Sequence, residues 1–190
     1  MSSLYSYLYP ALWLAWLLYW WAAAAGGKRA VRSESPLSRL LHLGPLAVAA
    51  WLLWSPTLAV AGLDTRFVPR GAAIFWLGAV LTAGGLGFAV WARRHIGGNW
   101  SGTVTIKEGH RLVSSGPYAW VRHPIYTGLL FAFAGSALGR GEWRGILALV
   151  IVFLALWRKL KVEERWLAQE FGGAYDDYRR RVKALIPFLL

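Results

Sequence analysis

The chain has 190 residues, a length that suits about one domain, and it is 57% hydrophobic but only 16% charged. Soluble domains run at roughly 45–50% apolar and about 25% charged, so both departures point to a membrane protein. The absence of Cys excludes disulfides, thiolate nucleophiles and thiolate metal sites. A net charge of +12 beside thirteen Trp fits positive-inside loops and interfacial aromatics better than nucleic-acid binding.

Leu4 to Ala25 is an uncharged apolar run, long enough for a bilayer crossing of ~20 residues. A signal peptide is the rival reading, but the run is long and lacks a basic leader. Gly26 to Arg39 is a loop with Lys28, Arg29, Arg32 and Arg39. Leu40 to Leu63 forms a second span, with Pro45 and Pro56 as kink positions that lipid-embedded helices tolerate. After a polar turn, Ala72 to Ala92 forms a third, in which Gly78, Gly84, Gly85 and Gly87 permit close helix approach. These three runs carry no buried charge, which disfavours an ion path.

Arg93 to Arg122 is the longest polar segment. Its Thr103-Val104-Thr105-Ile106 alternates with β-branched residues and reads as extended. Ile125 to Leu138 and Gly145 to Trp157 are short apolar runs joined by Gly139 to Glu142, a hairpin that either just spans or re-enters. The last helix runs on to Phe171, Gly172-Gly173 breaks it, Ala174 to Lys183 forms a second short helix, and Ile186 to Leu190 packs or anchors the end. With five crossings, one side receives seventeen Lys or Arg and the other four. That asymmetry places the N-terminus outside and the 93–122 segment and tail in the cytoplasm.

At the start of the hairpin, His123 stands as helix N-cap or its neighbour, and Pro124 suits the first helical position. A helix beginning there offers unpaired N–H groups and a positive dipole end to an anion. Arg122, Tyr118, Trp120 and Tyr126 surround it. Opposite, on the last helix, Lys159 and Glu163 share a face, whereas Glu163 and Glu164 diverge by about 100°. The ordinary alternatives are an interfacial helix start and a solvated face of ion pairs. No spacing resembles a metal site, an acyl-transfer triad or a P-loop.

The ordered motifs Gly109-His110-Arg111-Leu112-Val113-Ser114-Ser115-Gly116-Pro117-Tyr118, Arg122-His123-Pro124-Ile125-Tyr126-Thr127-Gly128 and Glu163-Glu164-Arg165-Trp166-Leu167, followed by Phe171-Gly172, Tyr175, Tyr178-Arg179 and Ile186-Pro187-Phe188, closely resemble the isoprenylcysteine carboxyl methyltransferase family. They also resemble the wider group of phospholipid N-methyltransferases and NnrU-like proteins. The likeness covers about Arg93 to Leu190. It implies S-adenosylmethionine as methyl donor, with S-adenosylhomocysteine as product. It places His110, Val113, Gly116, Tyr118, His123, Tyr126, Gly128, Glu164 and Tyr178 at the cofactor, and Arg122, Glu163 and Lys159 at the reactive end. The eukaryotic pattern has Arg where this chain has Lys159.

The expectation is an all-α, polytopic integral membrane methyltransferase of about five spans. Residues 1–92 form a three-helix membrane region and 93–190 the methyltransferase core. Its cytoplasmic cofactor pocket lies between the 93–123 segment and the C-terminal helices. The acceptor is lipophilic, of isoprenylcysteine carboxylate type, or else a phospholipid amine or small thiol. A non-catalytic membrane transport or assembly protein is the reading from another class. No metal and no nucleic-acid partner are expected.

Overall fold

The computed structural model describes residues 2–24, 30–55, 62–100, 105–107 and 112–188. Among them are six α-helices: α1 (Ser2–Ala24), α2 (Pro36–Trp54), α3 (Ala72–Ile96), α4 (Pro124–Arg140), α5 (Trp143–Phe171) and α6 (Gly173–Arg181). Among the described residues the fold is all-helical apart from a two-stranded antiparallel ribbon of β1 (Ala30–Ser33) and β2 (Thr105–Lys107). The extended reading of Thr105-Ile106 thus finds a partner from the first loop, while Thr103 and Val104 lie outside the described residues.

Local chemistry sets the helix ends. Ser35 is extended and its hydroxyl accepts the Ser38 N–H at 3.2 Å, with Pro36 at the first helical position. The second helix therefore starts four residues before the apolar run and ends at Trp54, shorter than the expected span to Leu63. Pro45 lies inside it, and Pro56 is outside the described residues. α3 continues past Ala92 through Arg93, Arg94 and His95, cations that suit a helix C-terminus. At the α4–α5 turn, Glu142 accepts from Arg140 at 2.9 Å and Arg144 at 2.6 Å. The same two guanidiniums donate to the carbonyls of Leu53 and Ser55, terminating α2.

α2 and α3 are long and apolar enough to cross a membrane. Apolar faces also point outward on other helices, with Leu14, Leu17 and Trp21 on α1, Phe131 on α4 and Val150 and Leu154 on α5 all exposed. α5 has 29 residues, about 44 Å at 1.5 Å per residue. That exceeds a ~30 Å hydrocarbon core, so its last turns project beyond one.

α3 and α4 meet backbone to backbone. A Cβ on Gly128 would lie 2.5 Å from the Gly85 carbonyl, and one on Gly135 would lie 2.5 Å from that of Gly78. Two glycines seven residues apart on each helix make this contact. Gly84 and Gly87, expected to share it, face open space. Between the pairs, the Thr82 hydroxyl reaches Gly78 O at 2.9 Å and Ser136 Oγ at 3.3 Å, and Trp13 of α1 donates to the same Ser136 at 3.0 Å. Gly85→Leu should separate the helices at a cost of about 1–3 kcal/mol or more, because the obstructing atoms are backbone. Gly84→Leu should be close to neutral. Thermal unfolding of the two variants in one detergent measures the contrast; equal melting points would remove the close approach.

Candidate active site

The start of α4, the charged end of α5 and α6 with the segment after it converge. The chain first passes through a 3-10 turn, Gly116–Ala119. Gly116 has φ +58°, and a Cβ there would come within 2.6 Å of the His95 ring. Only Gly lets the loop lie on the end of α3 in this way. His95 also donates to or accepts from Ser115 at 2.9 Å and stacks on Tyr118. Tyr118 is buried, and burial together with the nearby Glu163 pushes its hydroxyl above the usual tyrosine range. The Tyr178 hydroxyl donates to the Tyr118 carbonyl at 2.6 Å, which fastens α6 to this turn.

His123 caps α4 without a side-chain capping bond, and Pro124 follows it. Its imidazole lies between two carboxylates, with Nδ1 3.5 Å from Glu163 and Nε2 3.4 Å from Glu164. Nε2 makes no well-directed hydrogen bond. Consecutive residues on α5 reach different partners, as a 100° step requires. Glu164 accepts from Arg122 Nε at 2.9 Å and Nη2 at 2.5 Å. Glu163 accepts from the Tyr126 hydroxyl at 2.5 Å. Lys159, one turn before Glu163, is buried with its ammonium 5.6 Å from the Tyr126 ring centroid.

The charges reinforce one another. Burial would raise the Glu164 pKa, but the adjacent His123 imidazole and the Arg122 guanidinium outweigh it and hold the group at about 2. Burial likewise opposes ionisation of Glu163, and His123, Lys159 and Tyr126 overcome it, so its pKa falls. Burial disfavours the His123 imidazolium, but the two glutamates win and its pKa rises. The contribution of Glu164 to stability is complete above its unfolded pKa near 4.3 and is lost as pH falls towards about 2. That of His123 is complete below about 6.5 and is lost as pH rises through its raised folded pKa. Both act together between about pH 5 and 6.5. Melting temperature in detergent should therefore peak in that window, and Glu164→Gln should flatten the acid limb. An unchanged acid limb in Glu164→Gln would remove the carboxylate from the account.

Arg122 does more than pair with Glu164. Its Nη1 also donates to the carbonyls of Arg179 and Val182. The Arg122 and His123 N–H groups donate to the carbonyls of Lys183 and Ala184 at 2.8 and 3.0 Å, and the Thr127 hydroxyl donates to Leu185 O at 2.7 Å. The tail is thus laced to the α4 start. Its packing comes from buried Ala184 and Leu185, while Ile186 and Phe188, expected to pack or anchor the end, are exposed and so do not pack it. Leu189 and Leu190 lie outside the described residues.

Of the residues singled out from sequence, Tyr118, Arg122, His123, Tyr126, Lys159, Glu163, Glu164 and Tyr178 are brought together. Val113 is half-buried on the approach to the 3-10 turn, and His110 lies outside the described residues. Gly128 is one turn into α4 with its backbone against Gly85 and Ala89 of α3. Trp120 faces outward and joins Phe88 and Trp91 in an aromatic patch. Thr127 stands inside the motif, but its bond to the tail has no signal in the sequence. His42, 1% exposed on α2 beside Glu34, is signalled in the sequence only as a lone His in an apolar run.

The phospholipid methyltransferase family model matches residues 73–174. The protein-S-isoprenylcysteine O-methyltransferase of Saccharomyces cerevisiae is 37% identical over 90 residues, which is 45% of this chain and 36% of the yeast protein. That of Mus musculus is 28% identical over 162 residues, 80% of this chain and 54% of the mouse protein. Methanethiol S-methyltransferase 2 of Bradyrhizobium diazoefficiens is 45% identical over 73 residues, 38% of this chain and 27% of that protein. The chain thus spans about half or less of the length of these curated relatives. The match takes in α3, the loop with its 3-10 turn, the α4–α5 hairpin and the glutamate pair, so the chain belongs to the phospholipid methyltransferase family.

Proposed function

We propose that this protein is a membrane-embedded, S-adenosylmethionine-dependent methyltransferase acting on a lipophilic carboxylate of isoprenylcysteine type. The observation that carries the reading is the cluster of buried His123, Glu164, Tyr126 and Lys159 with half-buried Glu163, formed on the segment that the family match covers. The cofactor suits this donor set. Its carboxylate fits the α4 start and the underused Nε2 of His123. Its ammonium and ribose hydroxyls fit a carboxylate acceptor such as Glu164, and its sulfonium fits the tyrosine faces. When bound it would supply an electrophilic methyl group.

The chain's own residues bind, align and exclude water, which is most of what an in-line displacement asks of a protein. Lys159 holds the acceptor carboxylate, already ionised at neutral pH. Glu163 fixes Tyr126 and the Lys159 ammonium. Arg122 acts by holding Glu164 and the tail, because its donors are engaged there. Tyr118, Tyr178, Val113, Gly116 and His110 shape the cofactor side. Five crossings with the N-terminus outside bring the charged end of α5 to the cytoplasm, with 1–92 as membrane region and 93–190 as core. Thiol S-methylation is the second reading, favoured by the likeness to the methanethiol enzyme.

The purified protein should bind S-adenosylmethionine or S-adenosylhomocysteine. Glu164→Gln and His123→Gln should weaken binding by at least about tenfold while leaving the protein folded, the loss expected for a hydrogen bond to a charged group. Labelled-methyl transfer to prenylcysteines, thiols and phospholipids then identifies the acceptor. Wild-type protein that binds neither molecule would overturn the reading.

A further inference from the structure

The segment after α6 has an amphipathic order along the membrane normal. Its backbone runs beside the α4 start, with the Lys183 carbonyl at the Arg122 N–H, the Ala184 carbonyl at the His123 N–H and the Leu185 carbonyl at the Thr127 hydroxyl. That register carries the chain from the polar end of α4 to the level of its first turn. α4 has 17 residues, about 26 Å at 1.5 Å per residue. A ~30 Å hydrocarbon core is longer than that, so the first turn of a crossing α4 lies at or inside the hydrocarbon edge. Trp120, just before Arg122 in the chain, is exposed and joins Phe88 and Trp91, which marks the same level as interfacial. Cations stand on the water side of this level. Arg179 and Arg180 pair with Asp176 and Asp177. Arg181 and Lys183 are exposed and join no ion pair among the described residues, although Arg181 Nε donates to the Asp177 carbonyl at 3.3 Å. On the lipid side, past buried Leu185, Ile186 is exposed and Phe188 is 93% exposed.

An aromatic ring left in water forgoes the free energy of burial, whereas a bilayer interface takes up both a ring and the cations beside it. We infer that residues 181–188 form a docking surface for an anionic lipid leaflet, on which Arg181 and Lys183 meet headgroup phosphates while Ile186 and Phe188 enter the acyl boundary. The sign of the charge selects this occupant. The segment lies on the side that the Lys and Arg asymmetry assigns to the cytoplasm, where bilayers present anionic lipid. The same segment accepts from Arg122, His123 and Thr127, so docking holds the α4 start that frames the candidate cofactor site. Anionic lipid and cofactor then favour one ordered arrangement, and each strengthens the binding of the other. This rests on the membrane-embedded methyltransferase reading above and adds to it the lipid that regulates the site.

The test uses the full chain in lipid nanodiscs. The chain has no Cys, so Phe188→Cys and Arg181→Cys each offer a single position for a nitroxide label. The label at 188 should collide more with oxygen, which concentrates in lipid, than with a water-soluble nickel complex, and the label at 181 should do the reverse. In parallel, S-adenosylhomocysteine should bind about fivefold more tightly in discs containing phosphatidylglycerol than in neutral phosphatidylcholine discs. Arg181→Gln combined with Lys183→Gln should remove that difference while leaving affinity in neutral discs within about twofold of wild type. Inorganic phosphate added to neutral discs should not reproduce it. A label at 188 that sits in water, a wild type indifferent to the lipid, or an equal lipid response in the double variant would each overturn the inference. Phosphate that replaces the lipid would overturn it in favour of a free anion. Protection of the 188 label only in discs holding two copies would overturn it in favour of a second copy of the chain. Wild type that binds no S-adenosylhomocysteine in either disc would overturn the methyltransferase reading and the coupling with it, while the labels still decide whether the segment docks on the bilayer.

Discussion

Arg122→Ala is expected to be among the most damaging single substitutions in the chain. The guanidinium donates twice to Glu164 and also to the carbonyls of Arg179 and Val182. Removing it strands a buried carboxylate beside an imidazole that already shares its charge with Glu163, and it releases the tail from the α4 start. Breaking a buried pair by deleting one partner costs about 3–5 kcal/mol. Arg122→Lys should recover only part, because an ammonium cannot bridge a carboxylate and two carbonyls with one planar fork. Glu164→Gln combined with Arg122→Ala should cost less than the two single losses together, by about 1–3 kcal/mol, since the stranded charge is gone. Unfolding in detergent, with proteolysis of the tail as second readout, measures wild type and these four variants. Additive losses within about 0.5 kcal/mol would show that Arg122 and Glu164 act independently.

Much of this site could be read from the chain because its residues lie in two local motifs. Pro124 after His123 marked the helix start, and Gly172-Gly173 marked the break between α5 and α6, whose observed start is Gly173. The divergence of Glu163 and Glu164 follows from helix geometry alone. What escaped depended on contacts distant in sequence. Hydropathy could not tell Gly78 and Gly85, which touch α4, from Gly84 and Gly87, which do not, because all four sit in one apolar run. The second helix starts four residues before the apolar run because its start is a Ser35 cap and a Pro, not the onset of hydrophobicity. The partners of Arg122 include backbone carbonyls about sixty residues onward, which no residue type announces. The ribbon of β1 and β2 joins two loops about seventy-five residues apart for the same reason.

The largest expected effect on catalysis concerns Lys159, and it separates the acceptor classes. If the acceptor is a carboxylate, its nucleophile is ionised well below neutral pH, since free carboxyls titrate around 4. The site then needs a cation and no base. Lys159 is the buried ammonium beside Tyr126 and on the helix face of Glu163, so Lys159→Met should lower kcat/KM by about a hundredfold or more. Glu163→Gln should cost less. Rate should be nearly flat from about pH 6 to 8. Glu163 and Glu164, both held below the usual range by His123 and their other partners despite burial, stay ionised throughout. His123, raised against burial by the two carboxylates, stays protonated until pH passes its raised pKa, so the charge of the cluster changes little below that point. If the acceptor is an amine or a thiol, a proton must leave, and the rate should climb with pH through the acceptor or its base. Glu163→Gln would then be the costlier change and Lys159→Met the milder, because a cation beside a neutral nucleophile gives no charge pairing. The measurement is initial rate at saturating cofactor across that pH range for wild type and both variants. A steep rise in wild type, with Lys159→Met nearly unaffected, would reject the carboxylate and leave a thiol or an amine, which the labelled acceptor panel then distinguishes.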